Sequence, residues 1–166
     1  MTTVQSRKTH GAAGIFDLAI DTTQAINDPV TVEPRTIGSG HTIAFKFSGP
    51  VTSAGTASVI PVGTATTTFS GNEVLVALTN VPDSRRVTIT LGGVNGSISP
   101  PAVSLGFLVG DVNNTRSVNS SDISSVKARS GQSATALNYQ FDINATGAIN
   151  SSDISAVKAR SGLVLP

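Results

Sequence analysis

The chain has no cysteine, no tryptophan and one tyrosine in 166 residues. Without cysteine there are neither disulfides nor thiolate metal sites. The two histidines, His10 and His41, lie far in sequence from the repeated segments described below, so a zinc centre built on histidine is not expected. Charged residues amount to 13% and the formal net charge is +1; such a chain has no basic face to steer it toward nucleic acid or an acidic membrane. No apolar run approaches the length of a bilayer span, so membrane insertion is not expected either. Residues 1–12 are polar, carry Arg7, Lys8 and His10, and lack the apolar centre of a signal peptide. They read as a polar leader or linker, and the chain as a fragment or processed form. The shortage of aromatics leaves no platform for sugar rings, the single Tyr139 lying outside the β-rich region. Catalysis lacks its parts as well. Asp17, Asp21, Asp28, Glu33, Glu73 and Asp83 are scattered with no pair spaced for acid–base work, and no nucleophile motif or phosphate loop occurs. The chain reads as non-enzymatic.

What is plentiful is Thr, Ser, Val and Gly, a composition of strands and turns. In 41–48, Ile43, Phe45 and Phe47 share one face while Thr42, Ala44 and Lys46 share the other. Val74, Val76 and Leu78 alternate in the same way, as do Val87, Ile89 and Leu91. Further strands are expected at 15–20, 30–37, 57–62, 66–69 and 103–109. Ser70-Gly71-Asn72, Pro82-Asp83-Ser84 and Asn95-Gly96 suit hairpin turns. Short strands in this number, with turn signals about every eight to twelve residues, predict an Ig-like antiparallel β-sandwich over 13–108.

After Gly110 the period changes. The segment 111–131, DVNNTRSVNSSDISSVKARSG, returns 31 positions later as DINATGAINSSDISAVKARSG at 142–162. From 118 to 131 and from 149 to 162 the copies differ at two positions. The stretches 121–129 and 152–160 lack Gly and Pro and close on Ser-Gly, a helix C-terminal signal. Ile123 and Val126, like Ile154 and Val157, share one helical face. Helices this short are marginal alone, so the copies are expected to dock on each other. The strand ending at Val109 runs into Asp111 with no linker, which predicts rigid packing of a small α module, 109–166, on the sandwich.

Between Phe107 and Pro166 the only acids are Asp111, Asp122, Asp142 and Asp153, and each stands at position 1 or 12 of a twelve-residue loop. This is the layout of an EF-hand-type calcium loop. The first loop offers side-chain oxygens from Asp111, Asn113, Thr115, Asn119 and Asp122 and the carbonyl of Ser117. The second offers Asp142, Asn144, Thr146, Asn150 and Asp153 and the carbonyl of Ala148. Hard oxygen donors in this number suit Ca²⁺, one ion per loop and two in all. Threonine at position 5 leaves two carboxylates per ion, and Asp replaces the longer Glu at position 12. Position 6 is Gly147 in the second loop but Arg116 in the first, where a left-handed residue costs on the order of 1 kcal/mol. The second site is therefore expected to bind more tightly.

GDVNNTRSVNSSDISSVKARSG and its copy resemble the duplicated segment of dockerin modules, over a third of the chain. The resemblance implies a calcium-dependent module that docks its parent protein onto a cohesin-like partner in an extracellular or cell-surface scaffold. It also implies partner contacts at Ser120, Ser121 and Lys127 and at Ser151, Ser152 and Lys158, joined by Arg129 and Arg160, in two orientations related by a pseudo-twofold rotation. The β-rich part is similar to Ig-like modules that precede dockerins. The other reading is a calcium-stabilised fibre or layer subunit whose partner is a copy of itself, with residues 1–12 as an exchanged strand.

Overall fold

The structure is a computed structural model that describes residues 1–38, 40–97 and 101–166. Among these residues nine strands form two sheets around a shared apolar core. The five-stranded sheet runs in the order β2 (Ile15–Ala19), β1 (Thr3–Thr9), β4 (His41–Lys46), β7 (Glu73–Thr79) and β6 (Thr64–Ser70). The four-stranded sheet runs β3 (Val32–Glu33), β9 (Ala102–Phe107), β8 (Arg85–Leu91) and β5 (Ala57–Ile60). The alternation read from the sequence sets the core. Ile43 and Phe45, Val74, Val76 and Leu78, and Val87, Ile89 and Leu91 are all buried, and Val103, Leu105 and Phe107 of β9 join them. No helix is long and apolar enough to cross a membrane among the described residues.

Three expectations are corrected. Residues 3–9, read as part of a polar leader, are strand β1, which pairs antiparallel with both β2 and β4. Its polarity fits that position. Val4 and Ser6 point into the protein, while Arg7 on the outer face reaches Asp17 and Glu73, each at 2.8 Å. The strand expected over 30–37 shrinks to two residues, because Pro34 has no amide to continue a ladder. It pairs with β9 in parallel, so the sandwich is not wholly antiparallel. Pro82-Asp83-Ser84 closes no hairpin; it carries the chain from β7 in one sheet to β8 in the other. Ser70-Gly71-Asn72 does close one, with Ser70 opposite Glu73, and Asn95 and Gly96 take positive φ between β8 and β9.

Beyond Gly110 each copy folds as a loop followed by a short helix, α1 (Ser120–Lys127) and α2 (Ser151–Lys158). Asn119 and Asn150 are the N-caps, with Asp122 and Asp153 at the third helical position completing capping boxes. The segment after each helix then closes on the other copy's loop. Gly131 N donates to Ile149 O and Ala134 N to Gly147 O; equivalently, Gly162 N donates to Val118 O and Leu165 N to Arg116 O. Neither copy is complete alone. Val118, Val126, Ile149 and Val157 are buried between them, in one apolar cluster with Phe141 and Ile143. Val30, Val32, Leu108 and Val109 belong to that same cluster, so the helical module packs on one end of the sandwich, whose own core is a separate cluster.

Candidate metal centre

The first aspartate of each loop organises the backbone around itself. Asp111 Oδ1 accepts from Thr115 N at 3.0 Å and Oδ2 from Arg116 N at 2.7 Å. Asp142 accepts from Thr146 N and Gly147 N at the same two distances. The last aspartate is folded back onto the loop's start. Asp122 accepts from Val112 N at 3.1 Å and Asn119 N at 3.0 Å, and Asp153 from Asn144 N at 3.1 Å and Asn150 N at 2.9 Å. All four carboxylates are buried.

Burial of paired acids creates a demand for positive charge. Burial pushes the Asp111 carboxyl up, and the charge of Asp122 pushes it further, against the pull of the Arg116 and Thr115 amides. Asp153 is raised in the same way, by burial first, with Asp142 adding to it. A divalent cation between them would relieve both effects. The remaining donors are neutral oxygens drawn close together: Asn113 Oδ1 accepts from Thr115 Oγ1 at 2.7 Å, and Thr115 Oγ1 lies 3.3 Å from Ser117 O. In the second loop Thr146 Oγ1 lies 3.4 Å from Ala148 O and Asn144 Oδ1 accepts from Thr146 N at 3.3 Å. No three His, Asp or Glu side chains gather at one point among the described residues. The donor set is thus two carboxylates per loop plus amide, hydroxyl and carbonyl oxygens, a hard set that fits calcium.

Asn119 and Asn150, at position 9, are used differently from the other expected ligands. Their Oδ1 atoms accept from Ser121 N and Ser152 N, both at 2.8 Å, and so cap the helices. Asn150 Oδ1 also accepts from Ser152 Oγ at 2.9 Å.

The backbone also alters the comparison between the loops. Arg116 has φ 65° and Gly147 φ 96°, as expected for position 6. Position 4 is left-handed too, with Asn114 at 58° and Ala145 at 55°. Asparagine tolerates that region and alanine does not. Each loop therefore carries one strained residue, Arg116 in the first and Ala145 in the second, and backbone strain does not rank them.

Contact with the sandwich does distinguish them. His10 Nδ1 lies 2.7 Å from Asp142 Oδ2, and both residues are fully buried. Behind His10, Arg35 Nη1 lies 3.2 Å from Nε2, and Arg35 holds Glu33 through two bonds of 2.7 Å. Burial alone would raise the Glu33 carboxyl, but the Arg35 guanidinium more than offsets this and holds it at about 2. Burial likewise works against ionisation of Asp142, and the His10 bond and the two loop amides overcome it, leaving that carboxyl below its ordinary value. Thr36 N donates to Ile143 O at 2.7 Å, Tyr139 Oη to Asp17 O at 3.1 Å, and the rings of Phe16 and Tyr139 stack at 5.4 Å. A Cβ on Gly147 would meet His10 O at 2.8 Å, and one on Gly11 would meet Thr146 O at 2.2 Å. The second loop is the covered one, and its glycine is where the chain passes closest. Sequence reasoning missed His10, Arg35 and Glu33. The Arg116/Gly147 difference between the copies was the available signal, since it marks a covered loop as well as a relaxed one.

With this geometry in place, comparison with known families gives one result: residues 109–160 match the dockerin type I domain. The C-terminal module is a dockerin. No curated protein and no solved structure matches the chain. Dockerin domains are non-catalytic modules that bind calcium and cohesins. Of the residues that the dockerin resemblance marks for partner contact, Ser120, Ser121, Lys127, Ser151, Ser152 and Lys158 are all exposed. Arg129 and Arg160 are engaged internally. The Arg129 guanidinium lies 3.8 Å from the centre of the Phe141 ring, and Arg160 Nε donates to Asp83 Oδ2 of the sandwich at 3.0 Å. Ser121 Oγ accepts from Asn113 Nδ2 at 2.7 Å, and Ser152 Oγ from Asn144 Nδ2, so the helical serines of the dockerin are tied to loop position 3.

Proposed function

We propose that this chain is an extracellular, non-catalytic docking unit whose dockerin holds two calcium ions and attaches the parent protein to a cohesin-like module. Asp111, Asn113, Thr115, Ser117, Asn119 and Asp122 hold one ion; Asp142, Asn144, Thr146, Ala148, Asn150 and Asp153 hold the other. The observation that carries the reading is the pairing of two buried carboxylates in each loop with an exposed Ser-Ser and Lys set on the helix that the loop leads into. An ion fixes the loop, the loop fixes Asn113 and Asn144, and these orient Ser121 and Ser152. Because both sets are exposed, a partner can engage either, in two orientations. The sandwich presents the dockerin on a rigid base, as the shared apolar cluster supports.

The self-assembly reading draws no support from residues 1–12. They supply a central strand of this chain's own sheet, not a free segment for exchange.

The test is biolayer interferometry of the full chain against a panel of immobilised type I cohesin modules, in calcium and in chelator. We expect calcium-dependent binding to at least one. Variants altered at Ser120, Ser121 and Lys127 alone, or at Ser151, Ser152 and Lys158 alone, should bind within about twofold of wild type, and the combined variant should not bind. Binding that persists in chelator, or in the combined variant, sinks the reading.

A further inference from the structure

We infer that His10 of the sandwich is a positioning residue for the ion of the second loop, so that filling that loop and docking the sandwich on the dockerin are one linked equilibrium. The inference rests on the calcium reading above.

Donor and acceptor roles in the buried chain are fixed by elimination. Arginine donates only. Arg35 Nη1, 3.2 Å from His10 Nε2, therefore makes Nε2 the acceptor and puts the ring proton on Nδ1, which donates to Asp142 Oδ2. The imidazole is neutral in this arrangement. That matters for a cation site, because a neutral donor orients the carboxylate without repelling the ion, as a lysine there would. Asp142 Oδ2 then accepts from both Gly147 N and His10, while Oδ1 accepts from Thr146 N and keeps a lone pair free. Among the described residues Asp111 has no equivalent of His10; its oxygens accept from the Arg116 and Thr115 amides of its own loop. The orienting chain is itself held: Arg35 also donates to Ser6 O at 2.9 Å and Phe16 O at 3.1 Å, and His10, Arg35 and Glu33 are fully buried. Outer partners of this kind typically govern affinity by 10- to 100-fold. Linkage then requires the ion to strengthen the docking by the same factor.

The experiment is a Ca²⁺ titration of the full chain followed by amide NMR. Gly147 N–H, bonded to Asp142, reports the second loop, and Arg116 N–H, bonded to Asp111, reports the first. In His10→Leu the Gly147 midpoint should rise about 10- to 100-fold and the Arg116 midpoint should stay put. His10→Asn, whose side-chain amide can take the place of Nδ1, should recover most of the loss. In the wild type, calcium should slow hydrogen exchange at Thr36, whose amide crosses to Ile143 O. The proposal is overturned if both loops weaken together, if Asn does no better than Leu, or if Thr36 protection is indifferent to calcium. The Thr36 measurement decides alone if His10→Leu does not fold. If neither reporter titrates in the wild type, the calcium reading itself has failed, and this inference with it.

Discussion

Replacing Gly147 by alanine tests the contact between the two modules most directly, because the same protein supplies its own control. Gly147 and Gly162 have nearly the same backbone, φ 96° and 93°. A Cβ on Gly162 would meet nothing within 4 Å; one on Gly147 would meet His10 O at 2.8 Å and Ala13 Cβ at 3.3 Å. Alanine at either position costs about 1–2 kcal/mol for a left-handed conformation. At Gly147 the overlap is with backbone, which cannot swing aside, and such overpacking adds about 1–3 kcal/mol. Gly162→Ala should therefore lose about 1–2 kcal/mol and Gly147→Ala about 2–5 kcal/mol. Guanidinium unfolding in saturating calcium, followed by far-UV circular dichroism, measures both. The apolar cluster that the two modules share predicts a single transition, so the two values are comparable. Equal losses at the two glycines would refute the close approach of residues 10–13 to the second loop.

Two further outcomes follow from buried groups. His41 is held down to about 4 by burial, so the unfolded chain, with a histidine near 6.5, binds a proton that the folded chain does not. Stability should therefore fall as the pH drops from about 6.5 to 4, by on the order of 3 kcal/mol, and His41→Leu should flatten that slope; a wild-type stability that is level across this range would contradict it. Leu165 packs its side chain where a Cβ on Gly106 would stand, and its amide closes on Arg116 of the first loop. Leu165→Ala should cost about 2–4 kcal/mol and weaken calcium binding at the first loop, read at Arg116 N–H, while Gly147 N–H is unmoved; an unchanged first loop would show that the C-terminal segment is not part of it.

Much of this molecule is legible in the chain because its signals are local. The alternation of Val87, Ile89 and Leu91 dictates a buried face, and the spacing of eleven residues from Asp111 to Asp122 sets two buried carboxylates on the amides of one loop. What stayed hidden depends on partners distant in sequence. Strand β1 has polar residues at most positions, and its place between β2 and β4 follows from those neighbours, not from its own pattern. His10 meets Asp142 across 132 residues of chain, and no spacing encodes such a pair. Glu33 and Arg35 are charged yet fully buried, because each neutralises the other. Asn119 and Asn150, expected as ligands from their loop position, also cap the helices, a role fixed by the backbone amides that follow them.

The mutual closure of the two copies sets an order on how the module is made. As the chain leaves the ribosome, residues 131–134 are present before the loop they close, but residues 162–165 emerge some fifty positions after Asp111. The second loop can be finished as soon as its own helix appears, whereas the first has to wait for residues 162–165. Until then its carboxylates are unshielded by their closing strand, and a chain stalled or clipped near residue 160 is left with a working second half beside an open first one.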